Sequence, residues 1–207
     1  ICNGRPKLRA NETGQLAIGE PWRTIALSSG EVTLEEHMAQ LGKVPLAGQL
    51  SRVVEIPAVG QHGVFDALHG HNGPDLLADE LQRRCKRYYG SLFSAWINRL
   101  AGYDEAELTR KVLQHHSYRC ALMKENAETL LGYHISPQVM RVIRRFALVE
   151  AALVMANQFN LLPWLDHHSA NAVEHCFNLW LKNRGHGLDT EDHRLFCMLK
   201  AAIQGWG

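Results

Sequence analysis

Cysteine is scarce in this 207-residue sequence, and what there is stays unpaired. Cys2, Cys85, Cys120, Cys176 and Cys197 are odd in number, far apart and include no C-x-x-C pair. A disulfide framework is thereby excluded, and the thiols read as the reduced cysteines of a cytosolic protein. Charge of one sign is missing too. Twenty-two Lys and Arg against 21 Asp and Glu leave +1, so attraction to nucleic acid, membrane or acidic substrate has to rest on local patches. No long apolar run exists. The longest, near residues 146–155, is interrupted by Glu150 and is too short to span a bilayer, and no signal peptide is present. Nor does a G-x-x-x-x-G-K-[ST] phosphate loop occur anywhere. A nucleotide-binding architecture would need its phosphate cradle from elsewhere, and a start at Ile1 rather than Met suits a piece of something larger.

What is present is ordinary globular sequence, 46% hydrophobic and 21% charged, long enough for one large domain or two small ones. Its organising stretch is residues 22–31. An apolar, β-branched run there stops on Ser28, Ser29, Gly30 and Glu31, the pattern of a buried strand delivering hydroxyls to a sheet end, where open α/β sheets bind ligands. Before it, the glycines, Pro6 and the basic residues of 1–20 predict short extended pieces, a hairpin or a frayed terminus. After it, Thr33-x-x-Glu36 is a capping box opening a short helix that Gly42 ends. Pro45 and Gly48 predict a loop, and residues 51–57 a second strand closed by Pro57. Strand, helix and strand fill about 35 residues, the size of a β-α-β unit.

From Pro74 the periodicity turns helical. Leu77, Leu81, Cys85 and Tyr88 or Tyr89 predict one helix, and Phe93 to Leu100 a second. Residues 105–131 predict a long third whose polar middle, Gln114 to Tyr118, invites a kink. Ser136-Pro137 caps the clearest helix, with Val139, Ile143, Phe146, Val149, Leu153 and Ala156 as its buried stripe. Ser169 to Asn183 and Asp189 to about Gln204 complete the set. The division expected is a small α/β remnant (1–73) followed by a helical bundle (74–207), mainly α overall.

Three patches carry a family resemblance. The first is Asn3-Gly4-x-x-Lys7-x-Arg9-Ala10-Asn11 leading into Trp22-Arg23 and Leu27-Ser28-Ser29-Gly30-Glu31. The second is Ala47-Gly48-Gln49, Arg52-Val53-Val54-Glu55-Ile56-Pro57 and Leu68-His69-Gly70. The third joins Gln138-Val139-x-Arg141-Val142, Arg145-Phe146-Ala147-Leu148, Leu162-Pro163-Trp164 and Cys176-Phe177-x-x-Trp180-Leu181. Together they resemble a domain-of-unknown-function family of bacterial prophage- and plasmid-borne P-loop ATPases related to replicative helicases. The resemblance implies the C-terminal strands of an ATPase core followed by a helical lid, downstream of the phosphate loop and magnesium-binding acid. It implies ATP and magnesium for the parent but no cofactor here. The partners implied are the rest of the parent chain, a homo-oligomeric ring and DNA, without a membrane.

On that resemblance Ser28 and Ser29 take the catalytic positions beside the γ-phosphate, where a hydroxyl orients water or senses phosphate. From the residues alone they equally cap the turn before the Thr33 helix. Arg141 and Arg145, one turn apart, become lid arginines suited to bidentate phosphate contact; a solvated face or a salt bridge to Glu150 or Glu125 is the competing reading. Arg5, Lys7, Arg9, Arg23 and Arg52 are candidates for a finger acting on a neighbouring subunit or for the DNA backbone. The chain has Arg5-Pro6 and Glu12-Thr13 where the family carries a further glycine and more arginines. No metal is assigned. His69 and His71 lack a third ligand nearby, and Asp166, His167, His168 and His175 read as a cap and surface histidines. The alternative to an ATPase part is a helical DNA- or protein-interaction module without catalysis.

Overall fold

The computed structural model describes residues 20, 21, 24–58 and 60–204. Arg5, Lys7, Arg9 and Arg23, with the expected N-terminal hairpin, lie outside the described residues. The chain divides into two compact units, Ile1–Val53 and Val54–Gly207.

In the first unit, residues 24–30 run as exposed chain without regular structure, and Leu27 is 100% exposed. The strand expected there is not formed among the described residues. A strand is stable only when its amides and carbonyls meet a neighbouring ladder, and among the described residues none lies beside this segment. The capping box stands as read. The Thr33 amide donates to Glu36 Oε2 at 2.7 Å, and Thr33 Oγ1 accepts from the Glu36 amide at 3.1 Å. The Thr33 amide, and after it the Thr33 hydroxyl donating to the same Glu36 Oε2, hold the Glu36 carboxyl below its ordinary range. These bonds open α1 (Leu34–Gln40), after which Gly42 supplies a left-handed turn. The loop expected around Pro45 and Gly48 contains one helical turn, α2 (Ala47–Leu50). Its carbonyls also account for the missing second strand. The amides of Arg52 and Val53 both donate to Gln49 O at 3.0 Å, so the backbone that would enter a ladder is already coiled onto α2.

The second unit holds the core. Among the described residues from 54 to 73 no helix forms. They make two isolated antiparallel bridges, Gly60 with Gly63 and His62 with Phe65, while Val54 packs on the hydrophobic core. Six helices follow: α3 (Pro74–Arg87), α4 (Ser91–Ala101), α5 (Glu105–Leu131), α6 (Pro137–Gln158), α7 (Asp166–Arg184) and α8 (Thr190–Gln204). Of these α6 is central, packed against α5 on one side and α7 on the other. Helix α5 runs without interruption through the polar middle.

Helix α6 opens as its sequence dictates, Ser136 Oγ accepting from the Val139 amide and Pro137 filling the first turn. Its buried face is broader than the stripe expected. Val142, Ala147 and Ala151 join Val139, Ile143 and Phe146, whereas Val149 is exposed. Two neighbouring helices demand two adjacent stripes, and Val149 falls outside both. Against this face α7 places Val173, Phe177, Trp180 and Leu181, with Phe177 edge-on to Phe146 at 5.6 Å. Helix α7 begins at Asp166, one turn before the Ser169 expected, because His168 Nδ1 accepts from the Leu165 amide at 3.3 Å. Ser169 is buried instead of capping.

Helices α3, α4 and α8 are different. In α3 only Leu77 is buried; Leu81, Cys85, Tyr88 and Tyr89 of the expected stripe are exposed. In α8 only Thr190 is buried.

Candidate functional site

The expected site residues fall into separate units. Ser28 and Ser29 are exposed in the first, as is Arg52, whose guanidinium folds back over Gly48. Arg141, Arg144 and Arg145 are exposed along α6 in the second. Glu150, the acid that could have paired with them, lies against Arg119 and His115 of α5.

Glu150 is the most deeply buried charge among the described residues, at 1% exposure. It projects from α6 at the point where its apolar run is broken, and the polar middle of α5 faces it. Arg119 Nε lies 2.7 Å and His115 Nε2 3.3 Å from Glu150 Oε1. Neither N–H is aligned as a hydrogen bond and Glu150 Oε2 has no hydrogen-bond partner, so the contact is chiefly ionic. Arg119 Nη2 also reaches Glu174 of α7 at 3.4 Å, and Asn126 Nδ2 donates to Glu174 Oε1 at 2.8 Å. One turn along, His116 Nε2 hydrogen-bonds the Arg144 carbonyl at 2.9 Å. The five polar residues of α5 that suggested a break are therefore the ones that meet α6 and the solvent beside it. Sliding α5 by a turn would leave Glu150 buried without a cation, so the pair selects one register.

Beside this cluster a groove of about 360 Å³ runs between α5 and α6. Val112, Ala151, Val154 and Met155 line it with Lys111, His115 and Tyr118. Lys111 is already paired with Glu107 at 2.9 Å.

A second polar joint ties three helix ends together. Arg184 Nη2 donates to the Leu188 carbonyl at 2.8 Å and to Gln138 Oε1 at 3.1 Å, and Gln138 Oε1 also accepts from the Thr190 amide. Gly187 packs so closely that a Cβ there would lie 2.6 Å from Leu131 Cδ1. Within the joint, His186 is buried and stacked on His193 at 3.7 Å. Burial, with the charges of Arg184 and His193, pushes its pKa down to about 4.

Two of the thiols are held in the protonated form by their surroundings. Burial raises the pKa of Cys120 and of Cys176, so both stay protonated at neutral pH. Among the described residues no group of three His, Cys, Asp or Glu is arranged to hold a metal ion, and His167, His168 and His175 are exposed. No helix of the described residues is long and apolar enough to cross a membrane.

The chain matches no protein-family model, no curated protein and no solved structure.

Sequence reasoning passed over Arg119, His115 and Glu174. The signal was there in Glu150, a lone acid in an apolar run, which requires a facing cation wherever the helix is buried on that side.

Proposed function

We propose that this chain is the helical C-terminal part of a helicase-like ring ATPase of mobile-element DNA replication, unable to hydrolyse ATP on its own. The resemblance of the three patches, which spans nearly the whole chain, is its basis. ATP and magnesium would belong to the parent, and the partners would be the rest of that parent, neighbouring subunits of a ring and DNA. The observation that supports it is the state of residues 24–30. A strand-forming sequence ending in two serines lies bare, with Ile25 and Leu27 in water. That is how a sheet strand behaves when its neighbours come from other chain segments. On this reading Ser28 and Ser29 meet the γ-phosphate and Arg141, with Arg145 behind it, approaches ATP from the lid. Arg5, Lys7, Arg9, Arg23 and Arg52 then serve as finger or DNA contacts.

Two measurements test it. The purified 207-residue chain is expected to release no phosphate from magnesium-ATP; turnover that Ser28→Ala abolishes would overturn the reading. The reading frame upstream of Ile1 is expected to encode G-x-x-x-x-G-K-[ST] followed by a strand ending in acids, and a frame without them would overturn it equally.

A second reading, a protein-interaction module without catalysis, is favoured by α8. Its Leu195, Leu199 and Ile203 share a face and are all exposed. Light scattering that shows self-association, lost in Leu199→Asp, would support it; a monomer at all concentrations would count against the self-associating form.

A further inference from the structure

Residues 81–103 contain Arg83, Arg84, Lys86, Arg87 and Arg99 and not one acid, in a chain whose net charge is only +1. The cations of α3 gather in its last turn, and every residue from 81 to 94 is exposed. Aromatic side chains are interleaved with them. Tyr88 is 68%, Tyr89 81% and Phe93 71% exposed, around a turn that Gly90 makes at φ +79°. Three exposed rings in six residues is an expensive surface for water, and nothing among the described residues covers them.

The platform is not loose. Trp96 of α4 and Tyr103 beyond it both pack on Phe159 after α6, at 5.6 and 5.2 Å between ring centroids, which fastens this segment to the bundle. The apolar anchors are thus used inward while the other rings face outward. The cations are available. Arg83 and Arg84 pair with Glu80 of their own helix, but both guanidiniums are about two-thirds exposed, so the pairs contribute little and exchange readily for another anion. Arg87 already lies over the Tyr88 ring at 5.2 Å, and Lys86 reaches only Gln82.

We propose that this α3–α4 junction binds single-stranded nucleic acid. Phosphates would meet Arg83, Arg84, Lys86 and Arg87 while unpaired bases stack on Tyr88, Tyr89 and Phe93. Stacking on any base face is sequence-tolerant, and only a strand with splayed bases can offer those faces. A duplex keeps its bases stacked on each other and would use the cations alone. A protein partner is disfavoured by the density of like charge, since interface cores are depleted of charged residues and this patch carries four cations within five residues. The inference does not depend on the ATPase reading and uses none of the residues assigned to it.

Fluorescence anisotropy of the full chain with labelled oligothymidylate, oligouridylate and a duplex tests it, each longer than the roughly 4–16 nucleotides a single-stranded site occupies. Single strands are expected to bind, more weakly as salt rises, and tighter than duplex. A preference between the two single strands identifies DNA or RNA as the natural ligand, and equal binding means that the site reads only what they share. Tyr88→Ala with Tyr89→Ala should weaken binding about tenfold or more at unchanged helicity. Neutralising Arg83, Arg84, Lys86 and Arg87 to Gln should flatten the salt dependence, whereas Arg141→Gln, Arg144→Gln and Arg145→Gln should change neither. No binding to either single strand, duplex binding as tight as single-strand binding, or affinity that survives loss of both tyrosines would overturn the proposal. Because the substituted side chains are exposed, loss of fold does not cloud the result.

Discussion

Helices α6 and α8 are both amphipathic, yet they spend their apolar residues in opposite ways. Along α6, Val139, Val142 and Ile143 are wholly buried between α5 and α7. Along α8, Leu195, Leu199 and Ile203 are each more than half exposed, while the first turn is tied to the bundle, Thr190 and Glu191 meeting Gln138 and His193 stacking on His186. An isolated helix of that length is marginal in water, and most helical stability comes from burying an apolar face. Periodicity therefore says that a helix requires a neighbour, but not which chain supplies it. The same holds for residues 24–30 and for the aromatic turn between α3 and α4.

The contrast is broken most severely at Glu150. Arg119→Ala would leave a buried carboxylate with only His115 beside it, at a cost of about 3–5 kcal/mol in chemical denaturation. Replacing both partners by apolar residues, Arg119→Met with Glu150→Leu, should recover most of that loss. A double variant as unstable as the single would mean that the pair itself holds the bundle. Leu181→Ala comes next. The side chain is 1% exposed in the α6–α7 core, so truncation should cost about 2–5 kcal/mol by the same measurement.

These sites also mark where the sequence was readable. The starts of α5 and α6 and the ends of α5 and α7 follow from signals that act locally: Asp104 and Ser136 as N-caps, Pro137 in the first turn, Gly132 and Gly185 as left-handed stops. What could not be read locally was the pairing across elements. The polar run at Gln114 to Tyr118 looked like a weak point because its partner, Glu150, lies some thirty-five residues away. The two strands failed for a related reason: a β-branched run specifies a strand only when a ladder stands beside it. Of the candidate site, the exposure of Arg141 and Arg145 was legible from the arginine-rich side of α6. The aromatic and basic turn after α3 showed only as the helical spacing of Leu77, Leu81, Cys85 and Tyr88 or Tyr89, although its freedom from acids was there to be counted.

A smaller, pH-dependent effect separates the buried joint from the surface. His186 has its pKa pushed down to about 4 by burial and by Arg184 and His193, against about 6.5 in an unfolded chain. The unfolded state takes up a proton first. Stability from this residue is therefore complete above about pH 6.5 and is lost progressively as pH falls toward 4. His186→Phe should flatten that part of the stability profile, measured by denaturation at a series of pH values. A profile that keeps its slope without His186 would place the acid sensitivity elsewhere.

The smallest effect is the most discriminating. Leu199→Ala removes the same atoms as Leu181→Ala, but from a side chain that is 55% exposed. Little apolar area is returned to water and alanine favours the helix slightly, so the isolated chain should change by no more than about 0.5 kcal/mol. A loss above about 1 kcal/mol would mean that α8 folds back on its own bundle in solution. A loss that appears only as protein concentration rises would mean that the missing neighbour is another copy of the chain, because association stabilises only the state that binds. The pair of leucines thus measures, at fixed chemistry, how much of this molecule's apolar surface is satisfied from within.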